Sequence, residues 1–202
     1  MQKLPLSFYR GDDVLEIAAG LLGKVLVTRI GGNLSAGRIT EAEAYRGVTD
    51  RACHAYGGRR TQRNEVMYAD GGYAYVYLCY GIHFLFNVVT NRRDTPDAVL
   101  IRGIEPLEGK GLMLQRADRA MLTTSLTAGP GNLTRAMGIT KAHNGLRLDG
   151  PSLYIADDGF QVKEDDILAT PRIGVESAGA DALLPYRYVL RGNAYVSGRK
   201  SI

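Results

Sequence analysis

The run from Tyr73 to Thr90 constrains the fold more than any other part of the chain. It is the richest in β-branched and aromatic residues and breaks only at Tyr80-Gly81, which predicts a hairpin with its tip there. Tyr73, Tyr75 and Tyr77 then share one face, and Ala74, Val76 and Leu78 the other. A ladder of tyrosines is ordinary sheet packing, but a tyrosine at the tip is not. A bulky aromatic there is exposed, and exposed apolar tips can wedge between base pairs.

Other strands follow from the same periodicity. Val25 to Ile30 and Leu34 to Tyr45 flank the turn Gly31-Gly32-Asn33, and Ala98 to Ile104 reads as a further strand before Pro106. Asp13 to Glu16 has the form of a capping box for a helix that Gly23 ends, with Val14, Ile17, Ala18, Leu21 and Leu22 as its apolar stripe. Further helices are expected from Thr61 to Met67, from Leu112 to Met121 and from Gly129-Pro130 to Met137. The C-terminal third alternates turns with short strands. The expectation is an α+β fold: a single compact domain over residues 1–202, with a mixed, mostly antiparallel sheet, peripheral helices and a protruding hairpin.

The strand from Leu34 to Tyr45 carries an internal conflict. Strict alternation puts Ile39, Glu41, Glu43 and Tyr45 on one face, so two carboxylates lie in a segment otherwise patterned for burial. Either the strand is an edge and both face water, or at least one lines a pocket and can activate water as a general base.

Net charge is +4, a mild push toward polyanions. The kind of base says more. Eight arginines and no lysine fall between Glu41 and Arg102, and a planar guanidinium suits phosphate. Arg59 and Arg63, within this stretch, are candidate phosphate contacts. The two cysteines, Cys53 and Cys79, form no CxxC pair, and His54 beside Cys53 lacks further ligands, so neither a metal nor another cofactor is expected. No apolar run reaches 18 residues, and the first residues have no signal-peptide core, which points away from a membrane and toward a cytoplasmic or nucleoid-associated protein.

Taken in order, Glu41-Ala42-Glu43-Ala44-Tyr45, His54, Gly57-Gly58-Arg59, Thr61, Arg63-Asn64, Met67, Tyr75-Val76-Tyr77, Tyr80-Gly81, Asn87, Leu100-Ile101-Arg102, Glu105 to Gly109, Gly129-Pro130, Pro171 to Val175 and Arg191-Gly192 resemble the alkyladenine (3-methyladenine) DNA glycosylase family. The resemblance runs from about Leu22 to Ser197. It implies a monofunctional glycosylase acting on double-stranded DNA that contains alkylated or deaminated purines: 3-methyladenine, 7-methylguanine, hypoxanthine or ethenoadenine; a monomer is the default expectation, which the residues leave open. It implies Glu43 as general base, with Arg102 and the backbone carbonyl of Ile173 helping to hold the attacking water. Tyr80 resembles the intercalating wedge. Tyr45, His54 and Tyr77 resemble the walls of the base pocket, and Asn87 the residue that crowds the exocyclic amine of guanine. The alternative kept beside this reading is a non-catalytic module that binds damaged DNA.

Overall fold

The computed structural model describes residues 1–198; the last four positions of the expected 1–202 unit lie outside the described residues. Nine strands form one curled sheet: β1 (Gln2–Lys3), β2 (Val25–Ile30), β3 (Asn33–Tyr45), β4 (Ala74–Cys79), β5 (His83–Thr90), β6 (Asp97–Glu108), β7 (Leu153–Asp157), β8 (Ile167–Thr170) and β9 (Arg187–Leu190). Their order is β1-β7-β2-β3-β6-β5-β4, with β9 joined to β3 and β8 to β9. Each of these pairings is antiparallel among the described residues, so the sheet is simpler than the mixed one expected. The helices are α1 (Leu6–Tyr9), α2 (Val14–Leu21), α3 (Lys110–Ala117) and α4 (Pro130–Met137).

The sheet has two differently used faces. On one, α2 and α4 pack against the strands and bury a core that includes Leu21, Ile39, Phe86, Ile101, Ile104 and Leu133. Full burial of each such side chain contributes about 1.5–3 kcal/mol. On the other face, Tyr75, Val89 and Ala98 meet Cys53, Ala55, Met67 and Tyr68 from the long 46–72 segment in a smaller cluster. That second face carries the site.

Sequence periodicity fails at one point, and the failure is informative. Ile39 pairs with Ile104 and Glu41 with Gly103, which makes Thr40 an extra residue on β3. Ala42 then pairs with Ile101, which makes Arg102 an extra residue on β6. These two bulges re-aim side chains. Ile39 leaves the face of Glu41 and joins Ala42 and Ala44 in the helix-side core, while Ile101 and Ile104 both point there too. Arg102, between them, is released to the other face. The bulges also fall where β3 changes partner along one edge, from β2 (through Arg38) to β9 (from Glu41).

Several local expectations shift. Asp13 caps α2 by accepting from the Leu15 N–H at 2.8 Å. Gly23 follows α2 with φ of 81°, where an added Cβ would also collide with Val162. Pro106 does not end β6, which continues to Glu108 with Pro106 opposite Gly37. α3 runs earlier than the expected 112–121, from Lys110 to Ala117, because Asp118 turns left-handed with φ of 53°. The predicted helix from Thr61 is only a 3-10 turn, Glu65–Tyr68. Asn64 organises that region instead. Its side-chain oxygen accepts from the Thr61 N–H and hydroxyl, and its amide donates to the carbonyls of His54 and Arg59.

The β4–β5 hairpin closes as expected at Tyr80-Gly81. The Cys79 carbonyl accepts from the Ile82 N–H at 3.0 Å, with φ of 49° at Tyr80 and 72° at Gly81. This is the geometry of a type I′ turn, which prefers Asn or Gly at its first central position. A tyrosine held left-handed there costs about 1–2 kcal/mol. Tyr80 is 91% exposed, so no burial offsets that strain. Tyr80→Asn is therefore expected to raise the unfolding free energy by roughly 0.5–1 kcal/mol, read as a higher urea midpoint. An unchanged or lower midpoint contradicts a strained tip.

Candidate active site

A single cross-strand row builds the site floor: Glu43 on β3 opposite Leu100 on β6, Leu100 opposite Asn87 on β5, and Asn87 opposite Tyr75 on β4. Directly opposed residues project to the same face, so this row runs from the buried carboxylate to the tyrosine ladder.

Glu41 and Glu43 are fully buried, and β3 lies inside the sheet, so the reading of an exposed edge strand is excluded. Burying a lone carboxylate is costly, and each one here has cationic and hydrogen-bond partners. Glu43 Oε1 accepts from the Ile173 N–H at 2.8 Å; Oε2 accepts from the Tyr45 hydroxyl at 2.8 Å and from Arg102 Nη1 at 3.3 Å. Glu41 Oε1 accepts from Arg102 Nε at 2.9 Å, Arg187 Nε at 2.7 Å and the Ser197 hydroxyl at 2.9 Å; Oε2 accepts from the Ser197 N–H at 2.6 Å. Two carboxylates and two guanidiniums thus share one dry, formally neutral cluster. Burial works against the Arg102 charge, but Glu43 and Glu41 together outweigh it and hold its pKa above the ordinary arginine value. Burial, then Glu43, raises the Tyr45 pKa well above the usual phenol range, so Tyr45 keeps its proton and donates it to the carboxylate.

In front of this cluster lies a cavity of about 350 Å3. Its volume is at the lower end of the roughly 300–1,000 Å3 typical of small-ligand pockets. The predicted pocket residues Tyr45, His54, Tyr77 and Asn87 line it together with Tyr80 and Arg63. His54 stands edge-on to Tyr77, with ring centroids 4.6 Å apart, and its Nδ1 lies 2.8 Å from the Tyr75 hydroxyl. Burial raises the Tyr75 pKa, and burial with the nearby Arg63 and Arg59 charges lowers that of His54. A neutral imidazole accepting from Tyr75 keeps its proton on Nε2, a tautomer that follows from the hydrogen-bond network. The Asn87 amide donates to the Tyr75 carbonyl at 3.2 Å. Burial pushes the Cys53 thiol up to about 12, which leaves it protonated.

Glu43, Arg102 and Ile173 are not on the cavity wall. Tyr45 lies between, its ring lining the cavity and its hydroxyl touching Glu43. Ile173 meets Glu43 through its N–H, whereas the resemblance drew attention to its carbonyl.

The arginine-rich segment sorts into unlike groups. Arg60 is bound by Glu65 and Asp94, and Arg46, Arg92 and Arg93 face Asp13, Asp12 and Asp70. Arg63 donates to the Leu78 carbonyl and lies over Tyr77. Arg51 and Arg59 make no ion pair among the described residues and line a second groove beside the first, with Arg63.

Sequence reasoning missed four groups. It gave Glu41 no role apart from Glu43, and it did not single out Arg187, Ser197 or the Asp50–Arg172 pair. Arg172 donates to both carboxylate oxygens of Asp50, to the Ala44 carbonyl at 2.9 Å and to the Asp181 carbonyl at 3.1 Å, tying the 171–175 segment to the end of β3. The Pro171-Arg172-Ile173 string was visible, but the role of its arginine depends on Asp50, 122 positions away.

Comparison with known proteins identifies the family. Residues 7–194 match the family described as methylpurine-DNA glycosylase (MPG). A protein of Chlamydia felis named "Putative 3-methyladenine DNA glycosylase" is 47% identical over 188 residues, covering 93% of this chain and 95% of its own. Proteins of the same name from Desulfitobacterium hafniense and Bacillus licheniformis are each 44% identical, covering 98% and 97% of this chain and 99% and 97% of their own. With full-length matches of this closeness, the chain belongs to the methylpurine-DNA glycosylase family, a DNA-repair hydrolase that cleaves N-glycosyl bonds.

Proposed function

We propose that this glycosylase acts as a single monomeric unit on double-stranded DNA, extrudes an alkylated or deaminated purine into the tyrosine-lined cavity, and hydrolyses its N-glycosidic bond with a water activated by Glu43. The observation that carries this reading is the position of Glu43: buried, beside Arg102, and joined through the Tyr45 hydroxyl to the cavity wall.

The steps follow from the chemistry. A stacked nucleotide hides its glycosidic bond, and extruding it costs a few kcal/mol, less for a damaged base. Tyr80, with Ile82 69% exposed beside it, offers an apolar tip to fill the vacated stack. The extruded purine lies against Tyr45 and Tyr77, with His54 at its edge and Asn87 crowding the exocyclic amine of an undamaged guanine. Arg59 and Arg63 at the rim meet the phosphate backbone.

A carboxylate offers about four lone-pair sites. Glu43 uses one on Oε1 and two on Oε2, so Oε1 keeps a site for water. The Ile173 carbonyl, on the residue whose N–H already meets Oε1, supplies the second acceptor. As the bond to the base lengthens, positive charge grows on the sugar, and Glu43 both takes the proton from water and stabilises that charge. A cationic methylated purine departs as a neutral base without an acid, so one carboxylate suffices for it and Glu41 is free to organise the site, whereas neutral hypoxanthine or ethenoadenine must gain a proton as it leaves. No lysine lies between Glu41 and Arg102 to form a Schiff base, so the product is an abasic site in an uncut strand. The candidate substrates are 3-methyladenine, 7-methylguanine, hypoxanthine and ethenoadenine.

Glu43→Gln is expected to keep the fold and lesion binding and to lower single-turnover base release by roughly 10²–10⁴-fold. Release at near wild-type rate would remove Glu43 as the base, and absence of release from the wild-type enzyme would favour a binding module. Tyr80→Ala is expected to slow excision from duplex roughly 10- to 100-fold, the equivalent of losing help with a few kcal/mol of unstacking, while leaving excision from single strands nearly intact. Equal losses on both substrates would contradict the wedge.

A further inference from the structure

Tyr45 lines the cavity, whereas Arg172, whose side chain is fully buried against the same ring, does not. The Arg172 guanidinium lies 4.8 Å from the Tyr45 ring centroid and 5.3 Å from that of Tyr186. Arg46 lies 5.8 Å from the Tyr186 ring and pairs with Asp13. A guanidinium therefore stands behind the ring on which the purine is placed.

That position is electrically awkward. The face of an aromatic ring attracts a cation, so two cations on opposite faces of one ring draw on the same quadrupole and repel each other across it. A purine nucleotide methylated at a ring nitrogen, such as 3-methyladenine or 7-methylguanine, is such a second cation. The arrangement contains its own compensation in Asp50. The Arg172 and Asp50 side chains are almost wholly inaccessible to solvent and form a two-pronged ion pair. Asp50 also accepts from the backbone N–H groups of Arg46 and Ala52, so its carboxylate is held in place independently of Arg172. Other charges near these rings are Glu43 and Arg102 at the Tyr45 hydroxyl, Arg46 with Asp13 near Tyr186, Asp97 near Asp50, Arg63 on the cavity lining and Arg59 in the neighbouring groove.

We propose that the Asp50–Arg172 pair sets the charge selectivity of the base pocket: Asp50 neutralises the guanidinium behind Tyr45, so that the cavity side of the ring accepts cationic methylated purines as readily as neutral ones. Arg172 supplies the rigid backing that orients Tyr45 and Ile173, and Asp50 removes the repulsion that backing would otherwise exert. The inference rests on the reading that the extruded purine stacks on Tyr45.

The test measures binding in the Glu43→Gln background, using duplexes with one 7-methylguanine or one hypoxanthine at a mildly acidic pH, where the first lesion is cationic and the second neutral. Asp50→Asn leaves Arg172 uncompensated and is expected to lower the ratio of 7-methylguanine to hypoxanthine affinity by about tenfold. That is the order expected for unit charges separated by one stacked ring at an effective dielectric of about 20–30. Arg172→Gln leaves Asp50 uncompensated and is expected to raise the same ratio. The double substitution is expected to return the ratio to the parent value even if both affinities fall. Opposite shifts cannot arise from loosening of the fold, which lowers both affinities together.

Equal loss for both lesions in each variant, or shifts of the same sign, would overturn the proposal while leaving Tyr45 as the stacking residue. If Asp50→Asn does not fold, the direction of the Arg172→Gln shift decides. Tyr45→Ala that leaves both affinities unchanged would remove the stacking reading itself, and the proposal with it.

Discussion

Glu41 accepts four hydrogen bonds where water does not reach, two from guanidinium Nε atoms on different strands and two from Ser197. Removing one partner of a buried charge pair leaves an uncompensated ion and destabilises by about 3–5 kcal/mol. Exchanging the whole set for apolar groups is often neutral. The cluster is therefore better understood as a device for fixing geometry than as a source of stability. By holding Arg102 at its Nε, Glu41 leaves Nη1 directed at Glu43 and Nη2 near the Ser197 hydroxyl. By holding Ser197 it draws the end of the described chain over the same cluster, where the Thr40 hydroxyl also reaches the Tyr195 carbonyl.

The sheet makes this possible through the two bulges that flank Glu41. A regular β3–β6 ladder would align the apolar and charged residues by strict alternation, and Ile39 would compete with Glu41 for the same face. One extra residue on each strand separates them and releases Arg102 toward both carboxylates. The hairpin tip is a second departure from local preference, with a tyrosine where the turn favours asparagine or glycine. Both departures lie at the site. Both fit the general pattern of local rules yielding where function is placed.

Much of the fold was legible because it depends on short-range pattern. The limits of β2, the hairpin and its tip, and the cap of α2 all follow from residues close in sequence. The pairing of Glu41 with Glu43 drew attention to β3 for the right reason, since two carboxylates in a buried strand require partners. What was not legible depends on distant positions. Arg187 and Ser197 lie 146 and 156 positions from Glu41, and no periodicity links them. The bulges, which decide the facing of Ile39 and Arg102, leave no mark in the alternation itself. Composition also overstated the basic surface, because Arg60 and Arg46 are spent on nearby carboxylates.

The most direct test is a crystal structure of the Glu43→Gln protein bound to a duplex with one alkylated purine. The account predicts the purine between Tyr45 and Tyr77, Tyr80 inside the helical stack, and a water bridging residue 43 and the sugar C1′ at roughly 3–3.5 Å from that carbon. A purine bound elsewhere, or a sugar whose C1′ is cut off from residue 43 by an unmoved Tyr45, would contradict it.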